Sequence, residues 1–388
     1  MSAPSAAPDE PATQLERELR DQGSALAQRA PAGADAAAAA ARLLARADVH
    51  YLLVAARGTS DNAARYLQYA LGAEARLAVG LAAPSLYADP ETAPVLDGAA
   101  VMAISQSGQS PDIVAVLSAA RAQRRPTIAI TNDADSPLAR EADVVVPLAV
   151  GAERSVAATK TYTASLHAVQ QILEALRPSA ERRTWLARLP ALVDEVVDAQ
   201  LQARSAFDPL NDAAQLTVTG RSLDYAAAHE TALKIRELAG LVTEAFSPPD
   251  LLHGPIAAVA APGWCWLVST TPGNPDAAAL REAMLARSVP TVVVSPDAAL
   301  RAGARVAIAL PSGPPTWAAA VLAVLPGQVA ALRLAELRGV TIDEPHGLSK
   351  VTLTRSRGAP GRRRHARRRR RPATRHGVGR MPPEKYSR

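Results

Sequence analysis

The chain writes one pattern twice. Residues 49–72, VHYLLVAARGTSDNAARYLQYALG, are echoed by residues 214–240, AQLTVTGRSLDYAAAHETALKIRELAG, with an apolar run, a polar loop and an alanine-rich helical pattern in the same places. Residues 100–131, AVMAISQSGQSPDIVAVLSAARAQRRPTIAIT, are echoed by residues 264–295, WCWLVSTTPGNPDAAALREAMLARSVPTVVVS, down to the Pro-Asp that opens each helix and the Pro-Thr that opens each following strand. Each copy spans about 130 residues and alternates short apolar runs with helix-period segments, the signature of parallel strands joined by crossover helices. The pattern predicts an α/β protein of two tandem doubly wound parallel sheets, each a three-layer αβα sandwich. In the first copy, strands are expected at 48–56, 98–104, 126–131 and 143–148, and a helical stretch over 159–206 leads to the second.

One loop stands out for its chemistry. SQSGQSPD, residues 105–112, lies between an apolar strand and a helical pattern and contains neither lysine nor arginine. The unpaired N–H groups of a helix's first turn, with the helix dipole, favour an anion even without a cationic side chain, so a phosphate is the first candidate ligand. Ser110 suits the N-cap, Pro111 the first helical position and Asp112 the first turn, while Gly108 lets the backbone approach a ligand closely. An ordinary well-capped loop has the same residues. The second copy reads STTPGNPD, with Ser269, Thr270, Thr271 and Asn274 around Pro272, which removes one N–H; the anion is expected in the first copy only.

Composition bounds the class. With 48% apolar and 21% charged residues the chain reads as a globular protein. No transmembrane run or secretory leader is apparent, and the cytoplasm is the expected compartment. The single cysteine, Cys265, cannot form an internal disulfide or a multi-cysteine metal site, and GWCWLVST reads as a buried strand. The net charge of +6 is uneven: residues 355–388 hold 14 Lys or Arg against one acid, Glu384, which leaves −7 for the rest. This tail, with Tyr386 as its one aromatic, cannot build a core and reads as disordered. It could neutralise phosphates of a nucleic acid. The preferred reading is that an altered frame in a GC-rich gene yields such Arg, Pro, Gly and Ala bias past the end of a domain.

ARGTSDNA, SQSGQSPDIV, GAERSVAATKTYTASL, HETALKIRELAGLVTEAFSPPDLLHGP and DEPHGLSKVTLT, in this order over residues 48–354, resemble the double sugar isomerase (SIS) group. The similarity is to the isomerase half of glutamine-dependent glucosamine-6-phosphate synthases and to SIS-type glucosamine-6-phosphate deaminases. It implies that Thr59, Ser60, Ser105, Gln106, Ser107 and Ser110 bind phosphate and sugar hydroxyls, with Val156 lining the sugar. It also implies catalytic roles for Lys234, Glu237, His253 and Lys350, a C-terminal lid at 341–354, and a homodimer in which His253 reaches the neighbouring subunit's site. Departures from the pattern are Ala158 in place of a serine, Asp250 in place of a glutamate, and Pro248 and Pro249 before His253. The domain reading is an N-terminal helical, partly disordered extension at 1–45, a first SIS domain with linking helices at 46–205, a second at 206–340, the lid at 341–354 and the basic tail at 355–388.

The same residues make chemical sense directly. Aldose–ketose interconversion needs a base to carry a proton between C2 and C1 of an open-chain sugar, a task suited to a carboxylate such as Glu237. Lys234, three residues earlier on the same helical face, could stabilise enediolate oxygens, although an isolated Lys-x-x-Glu is more often a surface pair. His253 in LLHGP suits ring opening, and Lys350 in GLSK could meet a carbonyl or developing charge. No cysteine stands near the N-terminus to release ammonia from glutamine, which favours the ammonia-releasing direction. The expected activity is that of a glucosamine-6-phosphate deaminase, converting glucosamine 6-phosphate and water to fructose 6-phosphate and ammonia with no metal or cofactor. Fructosamine-6-phosphate deglycase, galactosamine-6-phosphate deaminase or isomerase, and a non-catalytic sugar-phosphate-binding regulator remain alternatives.

Overall fold

The computed structural model describes residues 13–89, 91–344, 347 and 350. The tail at 355–388 and most of the segment 341–354 lie outside the described residues. Helices α1 (Gln14–Arg20) and α2 (Gln22–Leu44) precede β1 (Tyr51–Ala55), α3 (Thr59–Ala70), β2 (Ala78–Leu81), β3 (Ala99–Ile104), α4 (Pro111–Ala122), β4 (Thr127–Thr131), α5 (Pro137–Arg140) and β5 (Val144–Pro147). Two long helices follow, α6 (Lys160–Leu176) and α7 (Ala180–Gln202). The second copy runs β6 (Leu216–Thr219), α8 (Leu223–Ala239), β7 (Thr243–Phe246), α9 (Pro248–Leu252), β8 (Trp264–Val268), α10 (Pro275–Ala286), β9 (Thr291–Ser295), α11 (Ala298–Arg301) and β10 (Val306–Ala309), then α12 (Thr316–Leu322) and α13 (Leu325–Leu337).

Each copy forms a five-stranded parallel sheet, and the two sheets share one topology. The orders are β2-β1-β3-β4-β5 and β7-β6-β8-β9-β10. All pairings are parallel; Leu53 of β1, for example, lies opposite Gly80 of β2 on one side and Val101 of β3 on the other. Strands covered by helices on both faces need no polar side, which is why AAVMAI in β3, TIAIT in β4, WCWLV in β8 and TVVVS in β9 are buried at every position. In such a sheet the strand order reverses beside the first strand, and the crevice outside the carboxyl ends of β1 and β3 is where a ligand fits. The loops at 56–58 and 105–110 lie there.

Two details differ from the sequence reading. The edge strands β2 and β7 were not expected: each has four residues, pairs on one side only and is partly exposed, so neither shows a continuous apolar run. Within the expected helical stretch 159–206, the linking helices α6 and α7 part before Pro178, whose ring disfavours helical geometry at Arg177, found at φ −137°, ψ 76°. Thr59 and Ser60, read as loop, form the first turn of α3. The N-terminal helices are core elements: Leu15, Leu19 and Leu26 are buried, and α2 lies against α6 and α7. Among the described residues, one helical stretch, Thr316–Leu337, is long and apolar enough to cross a membrane, and it is 94% buried inside the protein.

Candidate active site

Helix α8 of the second copy packs against α3 of the first, bringing a carboxylate of one half onto the first turn of the other. Glu230, buried on α8, accepts hydrogen bonds from Thr59 Oγ1 at 3.0 Å and Asn62 Nδ2 at 2.7 Å. One turn further along, Lys234 Nζ lies 3.6 Å from Glu230 Oε1 and 2.5 Å from Glu237 Oε2. This is not a surface pair. Lys234 is only 1% exposed, whereas the Glu237 side chain keeps 28% of its surface open. Burial alone would pull the ammonium's pKa down, but the charges of Glu230 and Glu237 outweigh it and hold Lys234 above its ordinary value. Burial pushes the Glu230 carboxyl upward against the pull of Lys234. The arrangement gives a fixed ammonium with one enclosed carboxylate behind it and one accessible carboxylate in front.

The loop after β5 closes another side. Its Glu153 is buried and folds back on its own chain: Thr159 N and Thr161 N donate to Oε1 at 2.9 and 3.1 Å, and Thr161 Oγ1 donates to Oε2 at 2.8 Å. Lys350 Nζ reaches the same carboxylate, 2.9 Å from Oε2. Burial works to raise the Glu153 carboxyl, but the Lys350 charge and the N–H donors prevail and set it below the usual range. Glu153 and Lys234 also feel each other's charge. Val156 sits half-buried between these anchored residues. Lys350 thus reaches the first copy's loop from more than 190 residues downstream.

The hydroxyl-rich loop is stitched to the end of β4. Asn132 N and Thr131 Oγ1 donate to the Gln106 carbonyl at 3.0 and 3.2 Å, and Leu138 N donates to the Gly108 carbonyl at 3.1 Å. Gly108 adopts φ +60°, and a Cβ there would stand 2.2 Å from Ser136 Oγ, so glycine is required on both counts. Ser105 Oγ accepts from Gly108 N at 3.1 Å and Ser107 Oγ from Gln109 N at 3.3 Å, which shapes the turn. Ser110 occupies the N-cap of α4, but its hydroxyl makes no capping hydrogen bond. Arg57, in the loop after β1, pairs with Asp112 in the first turn of α4 at 2.9 Å.

The second copy has the same frame with its opening filled. Arg221 pairs with Asp276 as Arg57 does with Asp112. Asn274, matching Ser110, caps α10 by accepting from Asp276 N and Ala277 N at 3.0 and 3.4 Å. Asp224, at the position of Ser60, is buried and accepts from both Thr270 N and Thr270 Oγ1 at 2.8 Å. Burial raises its pKa to about 6. A resident carboxylate therefore uses both donors of Thr270 in the second loop.

Of the residues singled out from sequence, Lys234 and Glu237 touch, Lys350 joins them through the field of Glu153, and Thr59 is tied to their helix through Glu230. Among the described residues, the Ser105–Ser110 loop makes no hydrogen bond or ion pair with this group, and His253 stands apart from both. It is exposed at the end of α9, and among the described residues nothing forms a hydrogen bond or ion pair with its ring. Glu230, Asn62 and Glu153 were missed. The signal for Glu230 was present, since Glu230, Lys234 and Glu237 follow a spacing of four then three on one helical face. Glu153 and Asn62 carry no such pattern.

The family model described as SIS domain matches twice, over residues 46–175 and 209–338. The glutamine–fructose-6-phosphate aminotransferase (isomerizing) of Corynebacterium efficiens is 32% identical over 320 residues, covering 78% of this chain and 51% of that protein. Its counterpart in Aeropyrum pernix is 32% identical over 316 residues, covering 77% and 50%. The chain spans about half the length of the curated relatives it matches. Among solved structures, the C-terminal domain of glucosamine-fructose-6-phosphate aminotransferase from Francisella tularensis superposes with a TM-score of 0.76 at 24% identity, covering 88% of this chain and 100% of that one. Glucosamine-6-phosphate deaminase from Thermotoga maritima does so at 0.71 and 20%, with the same coverage; both show the fold. With two matched segments and two sheets of one topology, the chain belongs to the SIS domain family.

Proposed function

We propose that the chain is an amino-sugar-phosphate isomerase that releases ammonia, acting on glucosamine 6-phosphate. The observation that carries this reading is the Glu230–Lys234–Glu237 row on α8: a buried ammonium with an accessible carboxylate 2.5 Å away. In the proposed reaction the open-chain sugar places its phosphate at the Ser105–Ser110 loop and the start of α4, with Gln106, Ser60 and Val156 contacting the sugar. Glu237 carries the proton from C2 to C1, and Lys234 and Lys350 offset negative charge developing on O1 of the enolamine-like intermediate. Moving the unsaturation leaves an imine at C2, whose hydrolysis gives fructose 6-phosphate and ammonia. His253 assists ring opening from a neighbouring subunit of a homodimer. Cys265 is buried in β8 with its thiol pushed up to about 12, so it takes no part in the proposed chemistry.

The direct test is ammonia release from a panel of hexosamine 6-phosphates and their unphosphorylated parents. Turnover of glucosamine 6-phosphate with little on glucosamine is expected. Ammonia from fructosamine 6-phosphate or galactosamine 6-phosphate instead would reassign the sugar, and equal activity with and without the phosphate would remove the loop's role.

A further inference from the structure

The N-terminal helix α1 looks remote from chemistry in the sequence, yet its one inward-facing acid reaches the loop that would line the sugar. Glu18 is completely buried (0% exposed), and its Oε1 accepts from Arg154 N at 2.5 Å while Oε2 accepts from Ser155 N at 3.1 Å. Gln14 Nε2 supplies a third donor at 2.9 Å. Among the described residues no cation pairs with Glu18, so the buried carboxylate is held by N–H donors, two of them from a loop 136 and 137 residues away. Enclosing an anion is costly unless its hydrogen bonds are made, so carboxylate and loop fix each other. The two residues so held immediately precede Val156 and follow Glu153, which binds Lys350.

The same helix is fixed from its other end. Asp343, in the segment that leads to Lys350, accepts from Gln14 N at 3.0 Å and Leu15 N at 3.2 Å, satisfying two donors that the first turn of α1 leaves free. The described residues thereby link three places in the chain: Asp343 to α1, Glu18 to the loop at 154–155, and Glu153 to Lys350. We infer that Glu18 is a positioning residue for the substrate site, setting the loop 153–158 and through it the place of Lys350. This inference rests on the proposed sugar-phosphate reading. A merely structural carboxylate in α1 would affect how much protein folds, not which part of a ligand is held.

That difference supplies the test. Binding of fructose 6-phosphate and of inorganic phosphate to the full-length chain is measured by calorimetry for wild type and Glu18→Gln, alongside thermal melting. The phosphate loop is built on β3, β4 and α4 and, among the described residues, makes no hydrogen bond with Glu18, so inorganic phosphate should bind equally well to both proteins. Fructose 6-phosphate should bind Glu18→Gln about tenfold or more weakly, because the amide turns a donor toward backbone N–H groups and displaces the loop. If Glu18→Gln does not fold, Glu18→Asp, which withdraws the carboxylate by one methylene, is read in the same way. Unchanged binding of both ligands, or equal weakening of both with a lowered melting temperature, overturns the assignment. Wild-type protein that binds neither ligand sinks the sugar-phosphate reading itself and the assignment with it; wild-type binding of both, without selective weakening in the variant, sinks the assignment alone.

Discussion

Lys234 holds Glu237 at 2.5 Å although only one of the two is open to solvent. The buried partner fixes the geometry and the exposed one can meet a substrate. Glu237→Gln should therefore fold normally and lower kcat by about two to four orders of magnitude, the usual worth of a general base. Lys234→Met should behave differently. It leaves Glu230 enclosed without its cation, at a cost on the order of 3–5 kcal/mol measured by denaturant unfolding. That loss should shrink in acid, where the Glu230 carboxyl takes up a proton. A Glu237→Gln enzyme with wild-type turnover would remove this residue from the mechanism.

Asp224 makes a distinct pH prediction. Its carboxyl is raised from 3.8 to about 6 by burial, so between these values the folded state binds more protons than the unfolded one. The resulting stabilisation is complete below about pH 4 and is lost as pH rises through 6, a change on the order of 3 kcal/mol. Asp224→Asn keeps an acceptor for Thr270 N and removes the titration. Its stability should vary less over pH 4–7 and exceed that of wild type at pH 7; parallel wild-type and variant profiles would show that Asp224 does not titrate in this range.

The two copies of the anion loop should respond in opposite ways. Ser107→Ala or Ser110→Ala should raise KM for the phosphorylated sugar, each costing on the order of 1–3 kcal/mol of binding through a lost hydrogen bond to a charged group. Asn274→Ala, at the matching place in the second copy, should leave KM unchanged and lower stability by about 1 kcal/mol, because its side chain caps α10. A KM effect from Asn274→Ala would mean that the second loop also binds substrate.

His253 touches none of the other site residues within one chain, which makes its proposed role across a dimer open to complementation. Mixing inactive Glu237→Gln protein with inactive His253→Ala protein under subunit exchange should restore about a quarter of wild-type activity, since half the molecules become mixed dimers with one intact site each. Exchange demonstrated by mass without recovered activity would return His253 to its own subunit.

Much of this protein was legible in the sequence because the information is local. Apolar runs such as AAVMAI and TVVVS announce strands buried on both faces, Pro-Asp pairs open helices, and repeating these signals twice predicts two sheets of one topology. Edge strands β2 and β7 escaped because half-exposed, one-sided pairing leaves no apolar run to read. The hydroxyls of SQSGQSPD and the Lys234–Glu237 spacing were visible as patterns. What they meant depended on burial, since the same Lys-x-x-Glu on a solvent face would be an ordinary ion pair. Only the tertiary structure set Glu230 against Thr59 and Asn62 of the other copy, filled the second loop with Asp224, and carried Glu18 and Lys350 to the two sides of one loop. Hydrogen bonds and ion pairs act over about 3 Å of space, whatever their separation along the chain. Sequence spacing can therefore foretell the partners of one helix face, while partners more than a hundred residues apart are chosen by how the helices and sheets pack.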